Sequence, residues 1–159
     1  MSEMIVGVPT RGTLRRLAGS ALASLLAFGA ISAIGGGASL LLTNGLGMPL
    51  AMLDGSPFSS FIVPAIVLLV VVGGTQSVGF GLLIVRRPSS LLWSAAAGFG
   101  MTIWILVETA IIQGFSVLQA IYFSLGILEL ALVIGILWAG STTAAGTPAP
   151  GAARTRNSV

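Results

Sequence analysis

Apolar residues in this chain form four long runs that are separated by short polar segments. Each run exceeds the roughly 20 residues that an α-helix needs to cross the hydrocarbon core of a bilayer. The pattern therefore predicts an all-α membrane protein, a four-transmembrane-helix antiparallel bundle formed by residues 1–143. The predicted helices cover residues 17–42, 58–84, 91–112 and 117–139.

Polar and helix-breaking residues set the predicted ends of these helices. Ser56 followed by Pro57 is typical of an N-cap and a first helical position, so the pair predicts the start of the second helix. Pro64 is expected to kink that helix near its outer end. After Ser141 the composition changes to threonine, alanine, glycine and proline. Residues 144–159 are therefore predicted to form a disordered tail.

The first predicted helix carries small residues at every fourth position. One series is Gly19, Ala23 and Ala27, and a second is Gly29, Ala33 and Gly37. This spacing lets helix backbones approach closely in lipid. Packing within the bundle is the favoured interpretation, and a dimer face is the alternative.

The composition indicates a lipid environment and restricts the possible chemistry. Of the 159 residues, 55% are hydrophobic and only 7% are charged, whereas soluble domains carry about 25% charged residues. The absence of cysteine and histidine excludes disulfides, His-ligated haem and the commonest zinc sites. Four scattered carboxylates are too few for an all-oxygen metal cage, and no phosphate-binding glycine loop or nucleophile elbow occurs. We therefore expect neither an enzyme nor a cofactor.

All seven basic residues are arginines, and they lie at the predicted membrane edges. They fall before the first helix, after the second helix and in the tail, whereas the other two connections have none. The positive-inside rule predicts cytoplasmic termini and an outer Asp54 loop, in a multi-pass protein of the plasma membrane. Such arginines favour attraction to anionic lipid headgroups over nucleic-acid binding. A retained first helix is favoured over a cleaved signal peptide, because its apolar run is longer than a signal h-region.

Two acidic residues, Glu108 and Glu129, lie inside predicted membrane helices. A carboxylate in hydrocarbon is costly and usually faces protein or water. Helical spacing puts Trp104 and Glu108 on one face of the third helix. Gln119, Tyr122 and Glu129 share a stripe on the fourth helix. Because the bend between the two helices is short, Glu108, Gln119 and Tyr122 are expected at similar depth.

Two interpretations of these carboxylates remain open. In the structural one, which is favoured for Glu108, Gln119 or Tyr122 hydrogen-bonds its protonated side chain and so fastens the two helices. In the functional one, Glu108 and Glu129 are proton-relay or cation sites that open toward the outer face.

Glu129 lies near the predicted bilayer midplane, where its candidate partners are Gln76 and Thr75 on the second helix. The structural and functional interpretations of Glu129 are balanced. For the polar patch around Gln76, hydrogen bonding to a neighbouring helix is favoured over a transport site.

Two sequence motifs mark the last two predicted helices. The first, W-I-x-x-E, runs from Trp104 to Glu108. The second begins at Ser116 and includes Gln119, Tyr122 and Gly126. Together they resemble a group of uncharacterised small bacterial four-helix membrane proteins, whose fourth helix carries S-W-L-Q-x-x-Y-F-x-x-G; valine replaces the tryptophan here. The resemblance implies the topology and a shared polar cluster on Glu108, and it implies no activity.

The favoured function is a structural or accessory subunit that packs with itself or with a larger membrane partner. The alternative is a small proton- or cation-coupled transporter that uses its intramembrane carboxylates and acts as an oligomer. The expected partners are the lipid bilayer and other membrane proteins, with no nucleic acid.

Overall fold

The computed structural model describes residues 10–111 and 116–144, and all regular secondary structure in these residues is helical. The four long helices are α1 (Arg11–Leu42), α2 (Ile62–Ile84), α3 (Ser90–Ile111) and α4 (Val117–Ala144). Each is long and apolar enough to cross a membrane. The prediction of an all-helical chain with four such helices is confirmed at this level.

Helix α1 begins six residues before the predicted position 17. The Thr10 side chain accepts a hydrogen bond from the Thr13 backbone N–H and caps the new start. Apolar periodicity could not reveal this first segment, because its exposed residues are mostly polar. Arg15 and Arg16 therefore lie on the helix rather than before its start.

Helix α2 begins at Ile62, so the prediction that Ser56 and Pro57 start it at residue 58 is wrong. The Ser56 hydroxyl instead accepts the Phe58 N–H at 3.2 Å in a local turn. Phe61 occupies the cap position and is only 2% exposed. Burial of this aromatic ring in the loop, rather than a side-chain cap, sets where the helix starts.

The irregular part of α2 lies beyond Pro64. Pro64 is the third helical residue, where its missing N–H removes no helical hydrogen bond. The next six residues, Val67–Val72, form a π-helical segment, and α-helical geometry resumes at Gly73. Such π segments disturb the regular i→i+4 ladder and frequently occur at functional sites.

Contacts between glycines and their neighbours establish an up-down-up-down order. Along α1, Leu26, Gly29 and Gly37 meet successively earlier residues of α2: Gly79, Gln76 and Leu69. Gly98 of α3 likewise meets the Gly126 carbonyl of α4. Consecutive helices are therefore antiparallel. We call the end that carries Arg15, Arg16, Arg86 and Arg87 the arginine end, and the opposite one, with residues 43–61, the loop end.

The second small-residue series on α1 packs within the bundle. Gly29, Ala33 and Gly37 are all buried. A Cβ at Gly37 would stand 2.7 Å from the Leu69 Cβ and 2.9 Å from the Ala65 carbonyl oxygen, so only glycine fits. In the first series, a Cβ at Gly19 would have nothing within 4 Å. The two series thus differ, and the close approach of α1 to α2 occurs at the second.

The core has two parts along the bundle axis. Nearer the arginine end, α1, α3 and α4 contribute one cluster: Leu22, Leu26, Ala97, Val133 and Ile136. Nearer the loop end, Ala33, Val72 and Met101 form the other, with Trp104 and Tyr122 packed against it. The candidate site residues lie between the two clusters and next to the second one.

Two predicted segments fall wholly or mostly outside the described residues. They are the bend at residues 113–116, of which only Ser116 is described, and the tail at residues 144–159, of which only Ala144 is described. Disorder of the tail stays a prediction for residues 145–159, whereas α4 continues through Ala144, five residues past its predicted end.

Candidate functional site

Glu129 is held in the middle of the bundle by a side chain from another helix. The Gln76 Nε2 of α2 donates a hydrogen bond to the Glu129 Oε2 of α4 at 3.0 Å. Both side chains are 0% exposed. The bond joins positions 53 residues apart and connects the second helix to the fourth.

Small and flexible neighbours make room for this pair. A Cβ at Gly29 would stand 2.8 Å from the Gln76 Cδ, so the bare backbone of α1 lets the amide group lie against it. The Met101 Sδ approaches the Gln76 Nε2 at 4.0 Å from α3. All four helices therefore contribute to the pair or to its surroundings. Among the described residues, the hydrogen bond between Gln76 and Glu129 is the one that links this pair to an oxygen or nitrogen atom of another helix.

Two acceptor atoms of this pair have no hydrogen-bond partner among the described residues: Gln76 Oε1 and Glu129 Oε1. An ionised carboxylate only accepts hydrogen bonds, whereas a neutral carboxyl group carries one O–H donor. No arginine lies inside the described bundle to balance a negative charge. A neutral Glu129 suits these surroundings, because its O–H group could donate a hydrogen bond to the Gln76 Oε1.

The neighbouring polar residues of α2 bond to their own helix. The Thr75 hydroxyl donates to the Val71 carbonyl at 2.7 Å, and the Ser77 hydroxyl donates to the Gly73 carbonyl at 2.7 Å. Thr75 therefore has no hydrogen bond to Glu129. Of the two candidate partners that the sequence offers, Gln76 is the one that reaches the carboxyl group.

Glu108 occupies different surroundings, nearer the loop end. It lines a cavity of about 200 Å³ to which all four helices contribute. Trp104, Gln119 and Tyr122 line the same cavity, so the structure brings together the four residues of the predicted cluster. Leu68 and Val72, from the π segment of α2, form part of the wall.

Gln119 is committed to capping its own helix. Its Oε1 accepts the Ser116 backbone N–H at 2.9 Å, and the Ser116 hydroxyl accepts the Leu118 N–H at 3.2 Å. This reciprocal arrangement is a capping box, which explains the spacing of serine and glutamine in the fourth-helix motif. The S-x-x-Q pattern before an apolar run was the sequence signal for it.

The hydrogen bond that would fasten α3 to α4 through Glu108 is not present. Within the described residues, neither Gln119 nor Tyr122 bonds to Glu108; the Tyr122 ring instead stacks on Phe28 of α1, with ring centroids 6.2 Å apart. The Trp104 indole lies beside the Glu108 carboxyl group, one helical turn away. Its buried Nε1 nevertheless lacks a partner in hydrogen-bond geometry.

Packed residues border the cavity at its two ends along the bundle axis. Gly29 and Met101 line it and also contact Gln76, so the Gln76–Glu129 pair lies directly behind this wall. At the loop end, Leu53, Phe61 and Pro64 meet Trp104 and Glu108 around a small space of about 20 Å³. Leu53 and Phe61 are buried. The loop thus covers the Glu108 side of the cavity.

The cavity has a mainly apolar lining with a few polar side chains, and it is large enough to hold water. A volume of about 200 Å³ corresponds to about six or seven water molecules at about 30 Å³ each. Glu108 supplies the one acidic side chain among the described residues that line the cavity. Among the described residues, no group of three or more acidic side chains could hold a metal ion. The single carboxylate fits a monovalent cation, a small ammonium ion or a proton.

Comparison with known proteins adds no family to this description. No family model, no curated protein and no solved structure matches the chain. The roles of these residues are therefore argued from their own geometry. Phe28 and Gly29 are the site residues that sequence reasoning missed; the small-residue series indicated close packing at Gly29, and no pattern indicated Phe28.

Proposed function

We propose that this chain is a multi-pass protein of the plasma membrane with both termini in the cytoplasm. Each helix turns a large apolar side chain outward, and Ile31, Val70, Ile103 and Ile134 are all more than half exposed. A surface of this kind suits lipid, in which the helical backbone satisfies its own hydrogen bonds. The arginine end and the Asp54 loop lie at opposite ends of the bundle, which supports the orientation by the positive-inside rule.

Cysteine labelling tests this topology, because the native chain has no cysteine. Ser59 and Ser89 are exposed positions in connections at opposite ends. In intact cells, a membrane-impermeant maleimide should label Ser59→Cys and should label Ser89→Cys only after the membrane is opened. The reverse order of labelling would overturn the orientation.

The function that the geometry supports best is binding of a small cation in the Glu108 cavity, as part of proton- or cation-coupled transport. One observation carries this proposal: the Glu108 carboxyl group opens into a cavity bounded by all four helices and makes no hydrogen bond to Gln119 or Tyr122. A carboxylate within a membrane helix is by default a candidate for an ion or proton pathway.

Transport through this cavity would require the bundle to rearrange. The Gln76–Glu129 pair and the cluster around Leu22 and Leu26 fill the bundle between the cavity and the arginine end. In this proposal the Gln76–Glu129 pair is a barrier and Glu108 is the binding residue. A carrier would have to separate α2 from α4 to pass its cargo.

The decisive experiment measures cation flux in proteoliposomes that contain the purified full chain. Na⁺, K⁺, methylammonium and a proton gradient serve as probes. Glu108→Gln preserves size and polarity but removes the charge. It should reduce flux at least about tenfold, which corresponds to about 1.4 kcal/mol of lost binding free energy.

Asp54→Asn is the matched control, since Asp54 is exposed and lines neither cavity at the loop end. It should leave flux unchanged. Absence of saturable flux in the wild-type protein, together with absence of binding, would reject the proposal. Equal losses in both variants would indicate a general effect of charge at the loop end and would also reject it.

Tryptophan fluorescence measures binding without transport. Trp104 lines the cavity, whereas Trp93 and Trp138 are 40% and 77% exposed. In a Trp93→Phe/Trp138→Phe background, the remaining signal reports Trp104. Titration with methylammonium should change it saturably, and Glu108→Gln should remove the change.

An accessory subunit that packs with itself or with a membrane partner is the second candidate. Ala131 and Gly135 lie four residues apart on the exposed side of α4, and a Cβ at Gly135 would meet nothing within 4 Å. Small residues at this spacing allow close helix association in lipid. Gly135→Leu should then reduce self-association measured by energy transfer between labelled chains, and unchanged energy transfer would count against this face.

A further inference from the structure

A large open groove in the described bundle lies at the arginine end and is lined by four arginines. Arg15 and Arg16 come from the first turns of α1, and Arg86 and Arg87 come from the connection between α2 and α3. The groove has a volume of about 1210 Å³. Side chains distant in sequence thus place four positive charges around one opening.

The backbone holds the second arginine pair in a defined position. Helix α2 ends in a Schellman motif, in which the Arg87 N–H bonds to the Leu82 carbonyl at 2.9 Å and the Arg86 N–H bonds to the Leu83 carbonyl at 3.2 Å. Arg86 has a φ of 55° at the position where glycine is usual.

No acidic side chain in the described part of the chain balances these charges. None of the four arginines forms an ion pair among residues 10–111 and 116–141. Glu108 lines the cavity at the loop end, Glu129 is fully buried beside Gln76, and Asp54 lies in the opposite connection. Among the described residues, the positive charge of the groove is therefore uncompensated, which favours an anion as its occupant.

The remainder of the groove is apolar and open. Leu83, Ile84, Leu91 and Ile136 supply its apolar wall. On α1, Gly19 leaves open space because a Cβ there would meet nothing within 4 Å. The Ser20 and Ser24 hydroxyls bond to carbonyls of their own helix and do not serve the groove. A ligand with a phosphate at one end and a hydrocarbon chain at the other matches this lining.

We propose that this groove binds one anionic phospholipid, with its phosphate between the two arginine pairs and an acyl chain along the wall formed by Leu83 and Leu91. Arginine forks recognise phosphate by paired hydrogen bonds, and basic pockets between helices on the cytoplasmic side bind anionic headgroups. A free phosphate would use the arginines and leave the apolar wall uncovered. The proposal rests on membrane insertion and is independent of cation binding at Glu108.

The test compares lipid retention by the full chain purified from mixed vesicles of phosphatidylglycerol and phosphatidylcholine. Native mass spectrometry after delipidation should find about one phosphatidylglycerol per wild-type chain, at an occupancy above that of phosphatidylcholine. Arg86→Gln/Arg87→Gln should weaken binding about twenty-fivefold, the product of about fivefold for each arginine near an anionic headgroup. Glutamine removes the positive charge and keeps an unbranched polar side chain.

Charge-matched controls separate a specific site from general attraction. Arg154→Gln/Arg156→Gln removes the same two charges from the tail and should retain the lipid. Arg15→Gln/Arg16→Gln, on the opposite side of the groove, should also lose the lipid. This second variant shows whether the loss in Arg86→Gln/Arg87→Gln comes only from a local folding defect. Circular dichroism must show equal helix content in all variants.

Salt and inorganic phosphate complete the test. Exposed charge pairs are strongly screened at 0.5 M salt, so a built site should keep its lipid there. Inorganic phosphate at 10 mM should not displace the lipid. Equal loss in the tail variant, loss of all selectivity at high salt, or full displacement by inorganic phosphate would each overturn the proposal.

Discussion

Glu129 and Glu108 are both acidic residues on long apolar helices, yet their surroundings differ in kind. Glu129 is fully buried and accepts a hydrogen bond from Gln76 of a different helix. Glu108 is partly buried, lines a cavity of about 200 Å³ and bonds to neither Gln119 nor Tyr122. Glu129, which already has a hydrogen-bond partner, contributes to helix packing. Glu108 lies beside open space that a ligand could occupy. Position in an apolar helix does not distinguish the two.

This contrast reverses the emphasis that the sequence favours. The motifs single out Glu108 as a structural fastener and leave the role of Glu129 undecided. In the structure, Glu129 makes the helix-to-helix hydrogen bond, and the glutamine of the motif caps its own helix. The geometry therefore supports a structural role for Glu129, and it supports the proposal of a binding role for Glu108.

The largest difference between the sites should appear on replacing each glutamate with leucine. Glu129→Leu leaves the Gln76 amide buried without a polar partner, which should lower the free energy of unfolding by about 2 kcal/mol. Glu108→Leu adds an apolar side chain beside a cavity and should change it by less than about 0.5 kcal/mol. The midpoint of unfolding by SDS in mixed micelles measures both.

Glu129→Gln sharpens this result, because glutamine keeps an acceptor for Gln76 Nε2 and supplies a donor for Gln76 Oε1. It should retain most of the stability that Glu129→Leu loses. Equal losses for the leucine variants of Glu129 and Glu108 would remove the proposed distinction.

A smaller loss of unfolding free energy is expected when a methyl group is added next to the buried Gln76–Glu129 pair. Gly29→Ala introduces a Cβ at 2.8 Å from the Gln76 Cδ and 3.0 Å from the Met101 Cε. Both contacts are with flexible side chains, so the loss should be about 1 kcal/mol, at the low end for overpacking. In combination with Glu129→Leu the losses should be less than additive, because both variants act on the same hydrogen bond.

Gly35→Ala is the control on the same helix, since a Cβ there would meet nothing within 4 Å. It should be neutral or stabilising by up to about 1 kcal/mol, because alanine favours a helix over glycine. If Gly35→Ala destabilises the bundle as much as Gly29→Ala, the contact with Gln76 is not the cause.

The smallest effect is expected at Thr75, which neighbours Gln76 in sequence but bonds only to its own helix. Thr75→Val should change the unfolding free energy by less than about 0.5 kcal/mol. It should also leave cation flux unchanged. A loss comparable to that of Glu129→Leu would mean that Thr75 belongs to the buried polar site.

Local patterns were enough to predict some parts of this structure and not others. Long apolar runs predicted four helices, because a chain in lipid must satisfy its backbone within each segment. The start of α2 was wrong, since burial of Phe61 in the loop outweighed a favourable Ser-Pro pair. The early start of α1 was missed, since a capped polar turn carries no apolar period. Ends of helices depend on contacts that a local pattern does not contain.

The sequence by itself determined the helical class, the number of long apolar helices and the similar depth of Glu108, Gln119 and Tyr122. These follow from composition, from run length and from the fixed rise of a helix. Only the tertiary structure decided the partners: which of Gln76 and Thr75 meets Glu129, and that Glu108 faces a cavity. Those outcomes depend on how each helix is rotated against its neighbours. Close contacts such as that of Gly29 with Gln76 fix this rotation, and the π segment of α2 accompanies it. Apolar periodicity predicts neither feature.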